Sequence, residues 1–438
     1  MAFDVITEAK RCLNCKKPMC RTGCPIHTPI PDMIHMFLEG QITEAGDMVF
    51  KNNPLSIVCS LICNHENQCE GHCVLNHKGA PVHISNIENY ISDNYFAKTK
   101  LLAPAEKKGM RAAVIGAGPA GLTIAILLAQ RGYDITIFES KDKIGGVLRY
   151  GIPEFRLPKK ILDRYMDKLK ALGIHVRPNT AIGKTIQIDD LFRDGYKAVS
   201  IGTGVWWPNT LRIKGETLGN VHYAIHYLVN PDVYDLGESV NVIGAGNAAM
   251  DVARTNLRNG ATKVTCFSIT PTAAASHTEL EYAKMDGVEF VYCVRPVEIT
   301  EKGTWFEKVE WDENNEMHVV PDSLVFYPSD STIISISQGP SNLLKNAGVE
   351  VNKKGLVVAN AAGITSKEGI FASGDVVKGA KTVVEAVAYS KQVADAMDEY
   401  MQELLAKEKA AKEETAVHEA LANEETLNET EKDGESPA

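Results

Sequence analysis

A chain of 438 residues with 44% hydrophobic side chains can bury a substantial core, and its length suggests two or three domains. The net charge is -10, but the stretch from Glu399 onward holds 12 acidic residues against 4 lysines, so the remaining body is close to neutral. That balance offers no broad basic face for nucleic acid and no reason to expect an anionic membrane surface as a partner.

The first ten residues include Asp4 and no apolar run of signal-peptide length, so the cytoplasm is the expected location. Eight of the ten cysteines then follow within 73 residues: Cys12, Cys15, Cys20, Cys24, Cys59, Cys63, Cys69 and Cys73. In a small secreted domain this density would mean disulfides. Here the segment runs on into a large ordinary domain, and metal ligation is the better reading. Helices are expected at Ile30 to Leu38 and Ile84 to Phe96. The segment to about residue 105 reads as a small helical domain whose core would be poor without metal crosslinks. Close-spaced thiolates also bind zinc, the bland alternative. His65, His72 and His77 lie among the cysteines and form no metal-spaced pair.

Beyond a polar linker, Pro104 to Gly109, the pattern becomes strand (Ala112 to Ile115), glycine turn, helix (Leu122 to Arg131) and strand (Asp134 to Glu139). The uncharged run Ala112 to Gln130 has the length of a membrane span, but it breaks at Gly116, Gly118 and Gly121, which argues against one. Gly116 permits a tight turn, Gly118 lets backbone approach a pyrophosphate, and Gly121 lets helix pack on strand. Pro119 and Ala120 open the helix, whose N-terminus carries partial positive charge. Glu139, 18 residues past Gly121, stands where a carboxylate can accept hydrogen bonds from ribose hydroxyls. This is a dinucleotide site.

A second unit starts at Val240 to Ile243, turns at Gly244 and Gly246, enters a helix through Asn247 and Ala248, and reaches a strand at Lys263 to Phe267. Alanine stands where a third glycine would, a variant common in nicotinamide sites. Another glycine motif, Gly374-Asp375, comes later, so the second unit reads as inserted into the first. Two dinucleotide sites imply a donor and an acceptor: hydride passes from NAD(P)H on the second unit to a flavin on the first. Past Ala406 the composition of Glu, Lys, Ala and Thr suggests a frayed helix leading into a disordered acidic tail, residues 406–438.

The run Gly145-Gly146-Val147-Leu148-Arg149-Tyr150-Gly151-Ile152-Pro153-Glu154-Phe155-Arg156-Leu157-Pro158-Lys159 resembles the signature of the glutamate synthase small-subunit family. So do Gly369 to Asp375 and Thr382 to Val387. The module is also similar to the N-terminal half of dihydropyrimidine dehydrogenase and to the large subunit of bifurcating transhydrogenases. The resemblance covers roughly residues 5 to 400. It implies an α/β fold: an N-terminal helical iron-sulfur domain (1–105), then two Rossmann-like units arranged as in glutathione reductase. The FAD unit would span 106–235 and 340–405, and the NAD(P)H unit, 236–339, would be inserted in it. By the same likeness Glu139, Gly146, Arg156, Gly374, Asp375 and Thr382 contact FAD. The helix beginning near Thr382 points its N-terminus at the flavin ring.

The resemblance also assigns the cysteines. Cys12, Cys15, Cys20 and Cys73 would hold one [4Fe-4S] cluster. Cys24, Cys63 and Cys69 would hold a second, completed by an oxygen of Glu88, and their spacings suit iron-sulfur ligation. Cys59 is left as a buried thiol. Cys266 and Cys293 are isolated, are expected in strands and form no Cys-x-x-Cys pair, which excludes disulfide-reductase chemistry.

NADPH-using relatives place paired basic residues after the strand that follows the second glycine motif, whereas this chain has Ser268-Ile269-Thr270. A 2'-phosphate without a guanidinium partner binds poorly, so the expectation leans to NADH, with Arg254 and Arg258 as the nearest sources of positive charge. The activity expected is that of an electron-input subunit passing electrons to a larger catalytic subunit or another acceptor protein. The partner would resemble the glutamate synthase large subunit, a pyrimidine reductase or a transhydrogenase. A redox-sensing iron-sulfur protein is the alternative from another class.

Overall fold

A computed structural model of the chain describes residues 4–341 and 348–432, with side chains described to Ala416. The helices expected in the N-terminal segment form at Ile30–Leu38 and Ile84–Lys98. They pack with helices Ile42–Asn52 and Ser56–Ile62, placing Met33, Ile34, Val49, Phe50, Ile57, Ile87 and Ile91 inside. This core is richer than the composition suggests, because it does not close on itself. It is continuous with the apolar side of the next domain, where Phe96 lies 4.5 Å from Tyr165, centroid to centroid, and the Tyr165 hydroxyl donates to the Pro54 carbonyl at 2.7 Å.

The first nucleotide-binding unit is a parallel five-stranded sheet in the order Ile370–Ala372, Tyr196–Ile201, Arg111–Ile115, Asp134–Phe138, His175–Arg177. Its inner strands are buried on both faces, as parallel strands are, and so read as unbroken apolar runs. The edge strand Ile370–Ala372 arrives after the whole second unit, so insertion of one unit in the other is a property of the sheet itself.

The uncharged run that has the length of a membrane span is a strand followed by the helix Pro119–Gln130. That helix is apolar all round because it is covered on both sides. The helix starting at Val383 lies against it, burying Val387, Val393, Ala394 and Met397, and Arg131 binds Asp398 at 3.2 Å. Among the described residues no helix is long and apolar enough to cross a membrane.

The second unit is another parallel five-stranded sheet, ordered Val221–Tyr223, Ser331–Ile334, Ser239–Ile243, Lys263–Phe267, Glu289–Val291. It begins before residue 236, since Val221–Tyr223 pairs with Ser331–Ile334 and belongs to this sheet. A separate antiparallel sheet lies between its last two strands in the chain, with Gly303–Trp311 pairing to each of Val294–Thr300, Met317–Val319 and Val325–Pro328. Cys266 is buried in its strand, but Cys293 is not in a strand: it sits at a turn with φ 56° and is partly exposed.

The tail differs from its sequence-based expectation. From Val383 the backbone stays helical to Lys432, 50 residues with no glycine or proline, about 75 Å at 1.5 Å per residue. The described side chains from Ala406 to Ala416 are exposed on every side. Strong helix formers carry the helix past the last packing contact.

Candidate active site

The carboxyl ends of the first sheet open into a cavity of about 430 Å³, in the size range of cofactor sites. Of the residues singled out in the sequence, Gly116, Gly118, Pro119, Ala120, Glu139, Gly146, Gly374, Asp375 and Thr382 line it. Gly116 has φ +99°, and a Cβ there would meet the Gly202 oxygen at 2.6 Å. Gly118 is different. Its φ is -78°, and the nearest atom to a Cβ is the Gly146 Cα at 3.8 Å, so the protein itself leaves that space free. Gly121 lies behind the wall, where a Cβ would meet the Gly116 oxygen at 1.9 Å. It serves helix packing alone.

Glu139 is buried and fixed. Its Oε2 accepts from the Ala117 N–H at 2.7 Å, and its Oε1 from the Lys141 N–H at 2.8 Å. Oε1 also accepts from the Ser140 hydroxyl at 3.2 Å, so Oε2 is the oxygen that keeps a lone pair for a ligand hydroxyl. At the far end Thr382 caps the long helix: the Thr382 N–H donates to Glu385 at 3.0 Å and the Glu385 N–H to the Thr382 hydroxyl at 3.4 Å, a capping box. Val383 and Ala386, in the first turn, line the cavity.

Sequence reading missed Gly202, Thr203, Gly204 and Trp206, and also Ile225, His226 and Val229, all of which line the cavity. Gly202-Thr203-Gly204 right after a strand was a usable signal. The helix Ala224–Val229 gave none, because only tertiary packing brings it from the second unit to this wall.

Arg156 corrects an expectation. It does not line the cavity. Its Nη1 binds both oxygens of Asp251, at 3.0 and 2.8 Å, and its Nε binds Glu279 at 2.9 Å, so it ties the first unit to the second. Arg254 is likewise engaged with Asp286 and Glu279, at 2.9 and 3.0 Å, and Arg258 binds Asp286 at 2.7 Å. Neither is a free cation. On the second unit Gly244 has φ +131° with its Cβ space filled by the Ser335 oxygen, whereas nothing lies within 4 Å of a Cβ at Gly246. Asn247 and Ala248 stand exposed at the N-terminus of helix Asn247–Arg258, open to a phosphate.

The thiols gather in two groups. Cys12, Cys15, Cys20 and Cys73 wall one small cavity together with Leu13, Pro18, Met19 and Ile34. Burial pushes the Cys20 thiol up to about 11, and the sulfurs of Cys12, Cys73 and Cys15 add to it. The second group lies deeper. Burial and Glu88 both raise Cys69, with Cys24 also nearby; Cys63 is raised first by the hydrogen bond its thiol donates to Cys59, then by burial, Cys59, Glu88 and Cys69. Glu88 is only 6% exposed, and burial, then Glu70, pushes its carboxyl up to about 8. Asn64 Oδ1 and His65 Nε2, beside Cys63, are buried without hydrogen-bond partners. Crowded acids of one sign with orphaned polar atoms are what a polynuclear cation site looks like as protein alone. A single zinc holds its sulfurs roughly 3.8 Å apart. Among the described residues only Asp312, Glu316 and His318 bring three ligand atoms within 4.8 Å of one another, on a surface turn, and the cysteines do not.

Residues 2–100 match the family described as dihydropyrimidine dehydrogenase domain II, 4Fe-4S cluster, and residues 110–390 match the pyridine nucleotide-disulphide oxidoreductases. The glutamate synthase [NADPH] small chain of Escherichia coli is 33% identical, covering 90% of this chain and 91% of that one. This chain belongs to the glutamate synthase small-chain family. The NAD-dependent dihydropyrimidine dehydrogenase subunit PreT of Salmonella typhimurium is 29% identical, covering 91% of this chain and 94% of that one. Mycobacterium tuberculosis FprA in complex with NADPH shares the fold, with a TM-score of 0.60 at 17% identity over 69% of this chain and 86% of that one. This small-chain relative is therefore an FAD-dependent NAD(P)H oxidoreductase that feeds electrons through an iron-sulfur domain.

Within the cavity Asp375 carries a pH signature. Burial pushes its carboxyl from 3.8 up to about 6, Glu385 adds to this, and the Lys381 N–H opposes it. The folded form thus holds a proton that the unfolded chain has lost, so this group's stabilisation is present at low pH and disappears as pH rises through about 6. Asp375→Asn should stabilise the flavin-free protein by about 3 kcal/mol at about pH 7.5, with the gain gone by about pH 4. Thermal unfolding across that range checks it, and a gain independent of pH would contradict the cause given.

Proposed function

We propose that FAD occupies the glycine-lined cavity, that the nicotinamide nucleotide binds across Gly244, Gly246, Asn247 and Ala248, and that the thiols hold two [4Fe-4S] clusters. The observation that carries this is the sorting of the cysteines into two groups matching two ligand sets: Cys12, Cys15, Cys20 and Cys73, and Cys24, Cys63, Cys69 and Glu88. A flavin takes a hydride from nicotinamide and releases electrons singly, which iron-sulfur clusters accept.

The chain's own part is to bind and orient. Gly118 and Gly146 admit a pyrophosphate against bare backbone, and Glu139 holds ribose hydroxyls from a carboxylate fixed by two N–H groups. The capped N-terminus of the helix from Val383 directs partial positive charge at the cavity. Arg156 and Glu279 hold the two units in register rather than touching flavin. No side chain is needed as general acid or base for a hydride step, which depends on alignment.

The relatives named as glutamate synthase small chain and dihydropyrimidine dehydrogenase subunit support a larger catalytic subunit as the partner, in the reducing cytoplasm where the thiols stay free for metal. NADH is the preferred donor. After strand Lys263–Phe267 the chain offers a Ser268–Thr270 hydroxyl pair at 2.8 Å, and the nearby arginines are neutralised by carboxylates.

Three measurements test this reading. Gly118→Val should fold with nearly unchanged stability yet retain less than about a tenth of its flavin, since only ligand space is filled. A fully yellow variant would move the flavin elsewhere. Stopped-flow flavin reduction should be at least about tenfold more efficient with NADH than with NADPH, and the reverse order would defeat the assignment of the donor. Cys20→Ser should leave nucleotide oxidation by ferricyanide intact while cutting electron delivery to the partner; unchanged delivery with iron lost would argue against the relay.

A further inference from the structure

The cavity walled by Cys12, Cys15, Cys20 and Cys73 is closed on its outer side by Leu13 and Met19, which are 62% and 47% exposed. Two large apolar side chains that line a thiol-walled cavity and also face solvent are out of place on a surface that no partner covers. The charge around them is unusual for this chain. From Lys10 to Pro31 there are five basic residues and no acid, and from Gly71 to Ile87 there is Lys78 and again no acid, in a protein of net charge -10. Lys10, Lys16, Lys17, Arg21 and Lys78 are exposed, and among the described residues none of them pairs with a carboxylate. The second thiol group lies deeper: Cys24, Cys69 and Glu88 are each at most 9% exposed, and Cys63 alone is partly exposed. Its helix Ser56–Ile62 follows the segment anchored to the flavin unit by Tyr165 on Pro54 and Lys391 on Asn52.

We propose that Leu13 and Met19, with the lysines and Arg21 that flank the thiol segments along the chain, form the docking surface for an acidic one-electron acceptor protein, with the outer thiol group as the electron exit. The proposal rests on the reading that this group holds an iron-sulfur cluster. An apolar centre inside a ring of one sign excludes water at the contact and selects the opposite charge at the rim. For each NAD(P)H oxidised, two acceptor molecules gain one electron each and one proton is released.

The test uses the full-length holoenzyme under anaerobic conditions with two probes, the soluble acidic domain of cytochrome b5 and the basic cytochrome c. Wild-type enzyme should reduce cytochrome b5 with a KM that rises steeply with salt. Lys16→Glu/Lys17→Glu should raise that KM at least about tenfold and improve turnover of cytochrome c, with Lys16→Gln/Lys17→Gln intermediate. Iron content and the rate of flavin reduction by nucleotide should not change. An unchanged KM for cytochrome b5, or a wild-type preference for cytochrome c, would overturn the proposal. So would a KM shift of equal size on deleting residues 406–438, because the acidic tail would then be the occupant. Wild-type enzyme lacking an iron-sulfur electron paramagnetic resonance signal would instead overturn the underlying reading.

Discussion

A Cβ at Gly146 would meet the Gly118 Cα at 2.7 Å, and one at Gly374 would meet the Ala120 side chain at 2.9 Å. Gly118, Gly146 and Gly374 come from three separate stretches of chain, and the cavity keeps its shape because none of these three carries a side chain. The close approach of bare backbone at the carboxyl ends of parallel strands is the constraint on which the rest of the molecule depends. It holds the start of helix Pro119–Gln130 against the turn at Gly145–Gly146, and it sets the distance from Glu139 to the capped helix at Thr382. The strand Ile370–Ala372 has to return to the first sheet so that Gly374 can close the ring.

Around that cradle the three parts of the chain are joined by polar contacts as well as by a shared core. Arg156 reaches from the first unit to Asp251 and Glu279 of the second. Glu66, in the loop between Cys63 and Cys69, accepts from the backbone N–H groups of His277 and Thr278 at 2.5 and 3.0 Å, at the start of helix His277–Met285. A carboxylate from the thiol-bearing domain thus serves the orphan donors of a helix in the nucleotide-binding unit. Glu279, the residue after Thr278, closes the circuit back to Arg156. The two nucleotide-binding units are therefore tied by the buried pairs of Arg156 with Asp251 and Glu279, which are costly to break singly, and the thiol-bearing domain by the exposed bonds of Glu66.

Thiols and glycines do different work here. The glycines act by absence, and single residues suffice. The thiols act by convergence: Cys73 joins Cys12, Cys15 and Cys20 from more than 50 residues away, and Glu88 reaches the second group from the helix Ile84–Lys98. Spacing within Cys12 to Cys20 is legible in sequence because a short loop presents those side chains to one point. The division of the remainder into two groups came from family likeness; in the folded chain Cys63 neighbours Cys69 and Glu88, and also Cys59.

The sequence by itself determined what local chain geometry controls. Each strand-turn-helix with its glycines was legible at nearly its full extent, as at Arg111–Ile115 and Ser239–Ile243, since hydrophobic period and turn chemistry act over a few residues. Only tertiary structure decided where Arg156 points, that Val221–Tyr223 joins the second sheet, that helix Ala224–Val229 walls the glycine-lined cavity, and that Leu13 and Met19 line a thiol-walled cavity while facing solvent. Those outcomes depend on pairings between residues tens to hundreds of positions apart. The energy of an ion pair or a buried contact belongs to the pair, and neither partner's local sequence carries a trace of the other.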